Sequence, residues 1–165
     1  MLKRAELESN LARVHEWTKS ADQKVGVFLA LQGIVLTIVF PPAISWIIQN
    51  LSYSNFVMLI IGCVLILLSL YKSIFAVLPR LTKNSAEKSI TYFGDIAKFS
   101  LKGFKEAVKG LSEEQYEDEL IEQTYISSGI ALRKYVQLRE SVLSFLGGVV
   151  LLSISFLISK VYYGI

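Results

Sequence analysis

Residues 25–71 read VGVFLALQGIVLTIVFPPAISWIIQNLSYSNFVMLIIGCVLILLSLY and contain no Asp, Glu, Lys or Arg. A hydrocarbon core about 30 Å thick is crossed by roughly 20 helical residues at 1.5 Å rise each, so this stretch is about two spans long. A second uncharged stretch, residues 141–159, is about one span long. A backbone in lipid must satisfy its own hydrogen bonds, and a helix does so within the segment. The two stretches therefore predict an all-α membrane protein with three transmembrane helices. Composition agrees, since 53% of the 165 residues are hydrophobic, only 19% are charged, and the mean hydropathy is +0.49. The polar remainder is too short to enclose a sizeable enzyme core of its own.

Four segments follow: an amphipathic helix over residues 1–24, a two-helix transmembrane hairpin over 25–78, a cytoplasmic helical hairpin over 79–141 that is the candidate sensor, and a third transmembrane helix over 142–165. Within the first span, expected over residues 25–48, Pro41 and Pro42 remove two backbone donors. The regular helix is expected to kink or stop there and resume around Ile44, with Trp46 as an interfacial anchor. The second span, 56–78, ends before Pro79, with Lys72 snorkelling from its last turns. Lys160, Tyr162 and Tyr163 mark the far end of the third. All 17 Lys and Arg residues except Lys160 flank the spans on one side, which the positive-inside rule makes cytoplasmic. The N-terminus is then cytoplasmic and the C-terminus periplasmic, in a bacterial inner membrane. The charged opening does not read as a cleaved signal peptide, so the first span is expected to be retained.

In residues 1–24, Leu2, Leu7, Leu11, Val14 and Trp17 form one helical stripe that runs into the first span. A helix is expected from Ser85 to about Lys109, because Ile90, Phe93, Ile96, Ala97, Leu101, Phe104 and Val108 recur at three- and four-residue intervals. Ser112 and Gln115 have the spacing of a capping box, and the pattern beyond them runs without proline into the third span. The last cytoplasmic helix is thus continuous with the third span, about 75 Å in all. The acidic cluster from Glu113 to Glu122 reads as a solvated helix start facing the macrodipole.

The chain carries no phosphate loop, HExxH, CxxC or nucleophile elbow, so no enzyme is expected, no metal site, and no resident cofactor. Cys63 and His15 are single residues of their types. A net charge of +3 gives no broad footprint for a nucleic acid polymer. Side chains that can bind a ligand cluster where spans meet cytoplasm: Trp17, Asp22 and Lys24 before the first span, Arg80 after the second, Lys134, Tyr135 and Arg139 before the third, and Tyr92 in the hairpin. Converging there, cations would hold a phosphate and rings would stack on a planar base. The competing reading is that the cations meet anionic headgroups and the tyrosines pack the hairpin. An ion pair of Asp22 and Lys24 with Arg80 is a further structural alternative. Small residues Gly26, Ala30, Gly33 and Thr37 share a face of the first span, and Ser144, Gly148, Ser155 and Ser159 one of the third. Such faces pack helices within or between chains.

Several of these stretches together carry a family resemblance: His15-Glu16-Trp17, then Ala21-Asp22-Gln23-Lys24, Pro79-Arg80, Ser89-Ile90-Thr91-Tyr92-Phe93-Gly94-Asp95-Ile96-Ala97, and Tyr125, Ser128, Ile130-Ala131, Lys134-Tyr135, Leu138 and Ser141. In this order and beside predicted spans, the sequence resembles the transmembrane effectors of the bacterial Pycsar antiphage systems. Val25 stands where that pattern has a small residue. The resemblance implies that the cytoplasmic helices bind cyclic UMP or cyclic CMP made by a neighbouring cyclase on infection. The membrane part then impairs the inner membrane and halts growth, as abortive infection. It also raises Trp17, Asp22, Lys24, Arg80, Tyr92, Lys134 and Tyr135 as the nucleotide site. Arg80 and Lys134 are expected on the cyclic phosphate, Tyr92 or Trp17 on the base, and Asp22 as orienter or ribose partner. Partners expected are the nucleotide, the lipid bilayer and further copies of the chain in a homo-oligomer. The alternative function is a small channel-like or structural membrane protein whose hairpin binds a protein partner.

Overall fold

The computed structural model describes residues 4–49, 52–78 and 89–163. Among the described residues every regular element is helical: α1 (Arg4–Ile34), a π-helical turn (Val35–Val39), α2 (Phe40–Gln49), α3 (Tyr53–Val77), α4 (Phe93–Ile96), α5 (Leu101–Gly110) and α6 (Glu113–Tyr163). Three stretches, Arg4–Gln49, Tyr53–Val77 and Glu113–Val161, are long and apolar enough to cross a membrane. The fold class is the one read from the uncharged runs. Contacts divide the chain into two compact units, one made of Met1–Ser20 with Pro79–Leu132 and the other of Ala21–Leu78 with Arg133–Ile165. The second, which holds the uncharged runs, is called the span unit below.

In the span unit, α3 buries Asn55, Gly62, Ile66, Ser69, Ser73 and Ala76, and α6 buries Ser141, Phe145, Gly148, Leu152, Ser155 and Ser159. Both series advance mostly by alternating threes and fours, the 3.5-residue period that keeps one seam of each helix on its partner. The closest approach is at Gly62 and Gly148. A Cβ on Gly148 would lie 2.9 Å from the Gly62 carbonyl and 2.6 Å from Ile66, so the pair sets how near the two backbones come. The small face of α6 is therefore used within the chain at Gly148. A Cβ on Gly26 or Gly33 of α1 would meet nothing within 4 Å. Phe40, Ile66, Phe145 and Leu152 form the apolar centre, with Phe28 edge-on to Phe145 at 5.6 Å.

Pro41 and Pro42 neither stop nor interrupt the first helix. The turn before them widens instead, and the Phe40 N–H reaches back five residues to the Val35 carbonyl. This extra residue changes the register in which carbonyls meet the proline rings, and α2 resumes at Phe40 rather than near Ile44. The Thr37 hydroxyl donates to the Gly33 carbonyl at 2.8 Å, supplying a donor where the register shifts.

In the other unit, Leu7, Val14 and Leu120 are buried. The expected stripe holds at Leu7 and Val14, whereas Trp17, three residues past Val14, falls on its flank and is 52% exposed; Leu2 lies outside the described residues. The single helix expected over residues 85–109 is divided. Its first residues lie outside the described set, residues 89–92 are non-helical, and only the short α4 precedes the break at Ala97–Ser100. Local side chains outcompete the helix. Ser89 Oγ accepts from the Thr91 and Tyr92 N–H groups at 3.1 and 3.2 Å, Asp95 accepts from the Ser89 N–H at 3.2 Å, and Ser100 caps α5 by accepting from the Gly103 N–H at 3.1 Å. Glu119 on α6 accepts from the Ile90 N–H at 3.3 Å and the Thr91 hydroxyl at 3.2 Å. It is a loop anchor, which corrects the reading of the whole acidic cluster as a solvated face. The capping box is present with both bonds, Gln115 N–H to Ser112 Oγ at 3.2 Å and Ser112 N–H to Gln115 Oε1 at 3.0 Å.

Two outcomes follow from this packing. Gly148→Val overfills the α3–α6 contact and is expected to destabilise the detergent-solubilised protein by about 1–3 kcal/mol, whereas Gly26→Ala, on an open helix face, does not lower its thermal midpoint; a Gly148→Val midpoint equal to the parent's would remove the close contact. Glu119→Ala strips the Ile90 N–H and the Ser89 and Thr91 hydroxyls of an acceptor, at a cost of about 1–3 kcal/mol. Hydrogen exchange at the Ile90 amide should accelerate about tenfold or more, and an unchanged rate would mean that Glu119 does not hold the loop.

Candidate functional site

The sequence-selected residues of the span unit lie on the turns of α1 and α6 that precede its uncharged runs. Ala21 and Val25 are fully buried and face inward, which leaves Asp22 and Lys24 between them at the flanks of the same helix turn. On α6, Lys134 Nζ donates to Asp22 Oδ1, and the Lys24 ammonium lies 5.3 Å from the centre of the Tyr135 ring. Asp22, Lys24, Lys134 and Tyr135 are thus gathered into one cluster that joins α1 to α6. Asp22 is the carboxylate partner of Lys134, whose side chain is only 16% exposed.

Electrostatically, the two cations differ. Lys134 is neutralised by an adjacent carboxylate. Lys24 is exposed and has the negative face of a ring against it, which holds the ammonium without cancelling its charge. An anion arriving here meets an available charge at Lys24, while at Lys134 it must compete with Asp22. A second ion pair, Lys72 Nζ to Glu140 at 2.9 Å, joins α3 to α6 next to this level. Lys72 was expected only to snorkel, and its partner was not foreseen. A lysine and a glutamate 68 positions apart carry no local signal of pairing.

The remaining selected residues are distributed differently. Trp17 and Tyr92 belong to the other unit, Tyr92 half-buried just before α4, and Arg80 lies outside the described residues. Tyr125 on α6, which opens the last of the quoted family stretches, is 81% exposed.

Sequence reasoning also missed the interior of the span unit. Ser69 Oγ donates to the Ser141 carbonyl at 2.7 Å and accepts from Gln32 Nε2 at 2.5 Å, and Ser141 Oγ donates to the Ser69 carbonyl at 2.7 Å. Each hydroxyl has one proton, so Ser73, 2.6 Å from Ser141 Oγ, is the donor in that pair. Farther along, Asn55 Nδ2 donates to Ser159 Oγ at 2.8 Å. All these side chains are fully buried. Their signal was present as the alternating three-and-four spacing of polar and small residues in the second and third spans.

Against known proteins, a family model described as the Pycsar effector protein domain matches residues 6–159. A curated relative, the Pycsar effector protein PtPycTM of Propioniciclava tarda, is 28% identical over 152 residues, covering 86% of this chain and 73% of the relative. No solved structure matches the chain. The family match runs from the first turns of α1 to the last turns of α6, through both units and every residue of the α1–α6 cluster, and on that extent the chain belongs to the Pycsar effector protein family.

Proposed function

We propose that this chain is an antiphage membrane effector that binds a cyclic pyrimidine nucleotide, cyclic UMP or cyclic CMP, and then impairs the bacterial inner membrane. The observation that carries the reading is the family match across residues 6–159, which takes in both the spans and the polar segments. The Asp22, Lys24, Lys134 and Tyr135 cluster is the proposed phosphate end of the site, with Arg80 as a third cation on the warrant of its sequence motif. Trp17 and Tyr92 are the proposed stacking residues on the same warrant. The charge-bearing side chains sit on the cytoplasmic side in this reading, as the distribution of Lys and Arg supports.

Lys24 is the stronger phosphate ligand, because its charge is not spent on a carboxylate. Lys134 acts through Asp22: it neutralises a carboxylate that would otherwise repel the phosphate. A nucleotide that binds more tightly to an arrangement in which α1 and α6 are clasped differently shifts the protein toward that arrangement, and only by the difference in affinity. No catalysis is involved. Each clasp residue is a binding or positioning group. In the alternative reading, that of a structural anchor, the same ion pair and ring contact merely hold α1 to α6.

Thermal unfolding of the purified full chain separates the two. A specific ligand stabilises the form it binds. Cyclic UMP or cyclic CMP is expected to raise the midpoint and cyclic AMP and cyclic GMP to leave it unchanged; no shift with any of the four favours the anchor. Lys24→Ala removes one charge-assisted contact and is expected to weaken nucleotide binding about tenfold to a hundredfold with membrane insertion intact. Lys134→Ala should weaken it too, and Asp22→Asn added to Lys134→Ala should recover part of the loss. Absence of recovery would give Lys134 a direct contact instead of a screening role.

A further inference from the structure

The fully buried side chains of the span unit are mostly oxygen-bearing, while its outer surface carries exposed Val27, Ile38, Leu67, Leu143 and Leu157. The buried polar groups fall into two clusters at opposite ends of the seam between α3 and α6. One is Gln32, Ser69, Ser73 and Ser141, and the other Asn55, Ser155 and Ser159. Between them stand Phe40, Ile66, Phe145 and Leu152, with no polar side chain among them. At 1.5 Å per residue, Phe145 to Leu152 makes an apolar layer about 10 Å deep, inside a polar-to-polar distance from Ser141 to Ser155 of about 21 Å.

The end clusters are not closed networks. Gln32 Oε1, Asn55 Oδ1 and Ser155 Oγ are buried without a hydrogen-bond donor. A buried acceptor left bare is costly, and where water can reach it the oxygen is hydrated. All three atoms are oxygens able to accept, one on each of the three helices. As acceptors they suit water and a small monovalent cation.

We propose that the interior of a single chain's three-helix bundle is a closed permeation path for water and small monovalent cations, with Phe40, Ile66, Phe145 and Leu152 as its apolar gate. An apolar constriction blocks ions by excluding water, and it opens when it is widened or made polar. This rests on the reading of the protein as one that impairs a membrane, and it places that activity within one bundle.

The test uses the full chain in phosphatidylethanolamine and phosphatidylglycerol vesicles without nucleotide, so that it does not depend on ligand binding. Phe145→Ser is expected to raise potassium efflux at least about tenfold over the parent chain, while Phe145→Leu does not. Efflux unchanged in Phe145→Ser with a parent-like thermal midpoint overturns the gate, and chloride efflux equal to potassium efflux overturns the cation path. Should Phe145→Ser not fold, cysteine accessibility decides. In a Cys63→Ala background, Ser73→Cys and Ser155→Cys are expected to react with a charged, water-soluble thiosulfonate and Leu152→Cys to resist it. Unreactive cysteines at both ends overturn the proposal. Nucleotide binding that fails while Phe145→Ser leaks would sink the messenger reading and leave the gate standing; intact binding without a leak would do the reverse.

Discussion

Hydrocarbon offers no hydrogen bonds, and that constraint determines how the span unit is built. A hydroxyl or amide within a span must find its partner within the protein, so Gln32, Asn55, Ser69, Ser73, Ser141 and Ser159 face inward, Thr37 bonds the Gly33 carbonyl of its own helix, and the lipid-facing positions are mostly aliphatic or aromatic. Each cross-helix bond of this kind contributes only about 0.6 kcal/mol on average. The clusters therefore add up to specificity of register more than to strength. What brings the helices close enough to make them is the absence of side chains at Gly62 and Gly148, where the Gly148 Cα faces the Gly62 carbonyl. A larger residue there would separate the seam and with it every hydroxyl pair on either side.

That geometry also explains why α3 and α6 pair along their whole seam while α1 follows a different rule. The buried positions of α3 and α6 repeat at 3.5 residues, the period of two helices wrapped on each other. The first helix instead changes period at Val35–Val39, where a π-helical turn carries it past Pro41 and Pro42. Buried Phe40 lies directly after that turn and packs on the cluster of Ile66, Phe145 and Leu152. The widened turn thus decides which side chain at the start of α2 meets the apolar centre.

The spans were legible because charge exclusion over some twenty residues has few explanations other than a bilayer. Ser112 and Gln115 were legible because a capping box spans only four residues, with both partners in view. Where the reading failed, the deciding partner was remote or the choice was close. Residues 85–109 have helical periodicity, but Ser89, Asp95 and Ser100 give the backbone other acceptors, and Glu119, some thirty positions away, stabilises the non-helical form. Among the site residues, the sequence placed Asp22, Lys24, Lys134 and Tyr135 at one depth, and the fold joins those four. It could not assign which lysine the carboxylate takes, because Asp22 is two positions from Lys24 and bonds to Lys134 on another helix.

The centre and the charged end of the bundle differ in what it costs to undo them. Its centre is held by aromatic and aliphatic packing around Phe145, which lipid tails can replace but water cannot, so wetting it costs about 25 cal/mol per Å² of apolar surface. Where the charged residues lie, α1 and α3 are held to α6 by Lys134–Asp22 and Lys72–Glu140, pairs whose acidic side chains are 43% and 50% exposed. Solvent screens such pairs, and exposed ones are worth about 0–1 kcal/mol. The helices are thus least firmly joined at the level where Lys24 presents its charge. An anion that prefers one clasp arrangement by 1–3 kcal/mol, an ordinary coupling energy, is then large enough to compete with the bonds holding the other. The same anion acting on the aromatic centre directly would face a much larger opposing term, and this difference in cost makes the charged end the place where a small ligand can act.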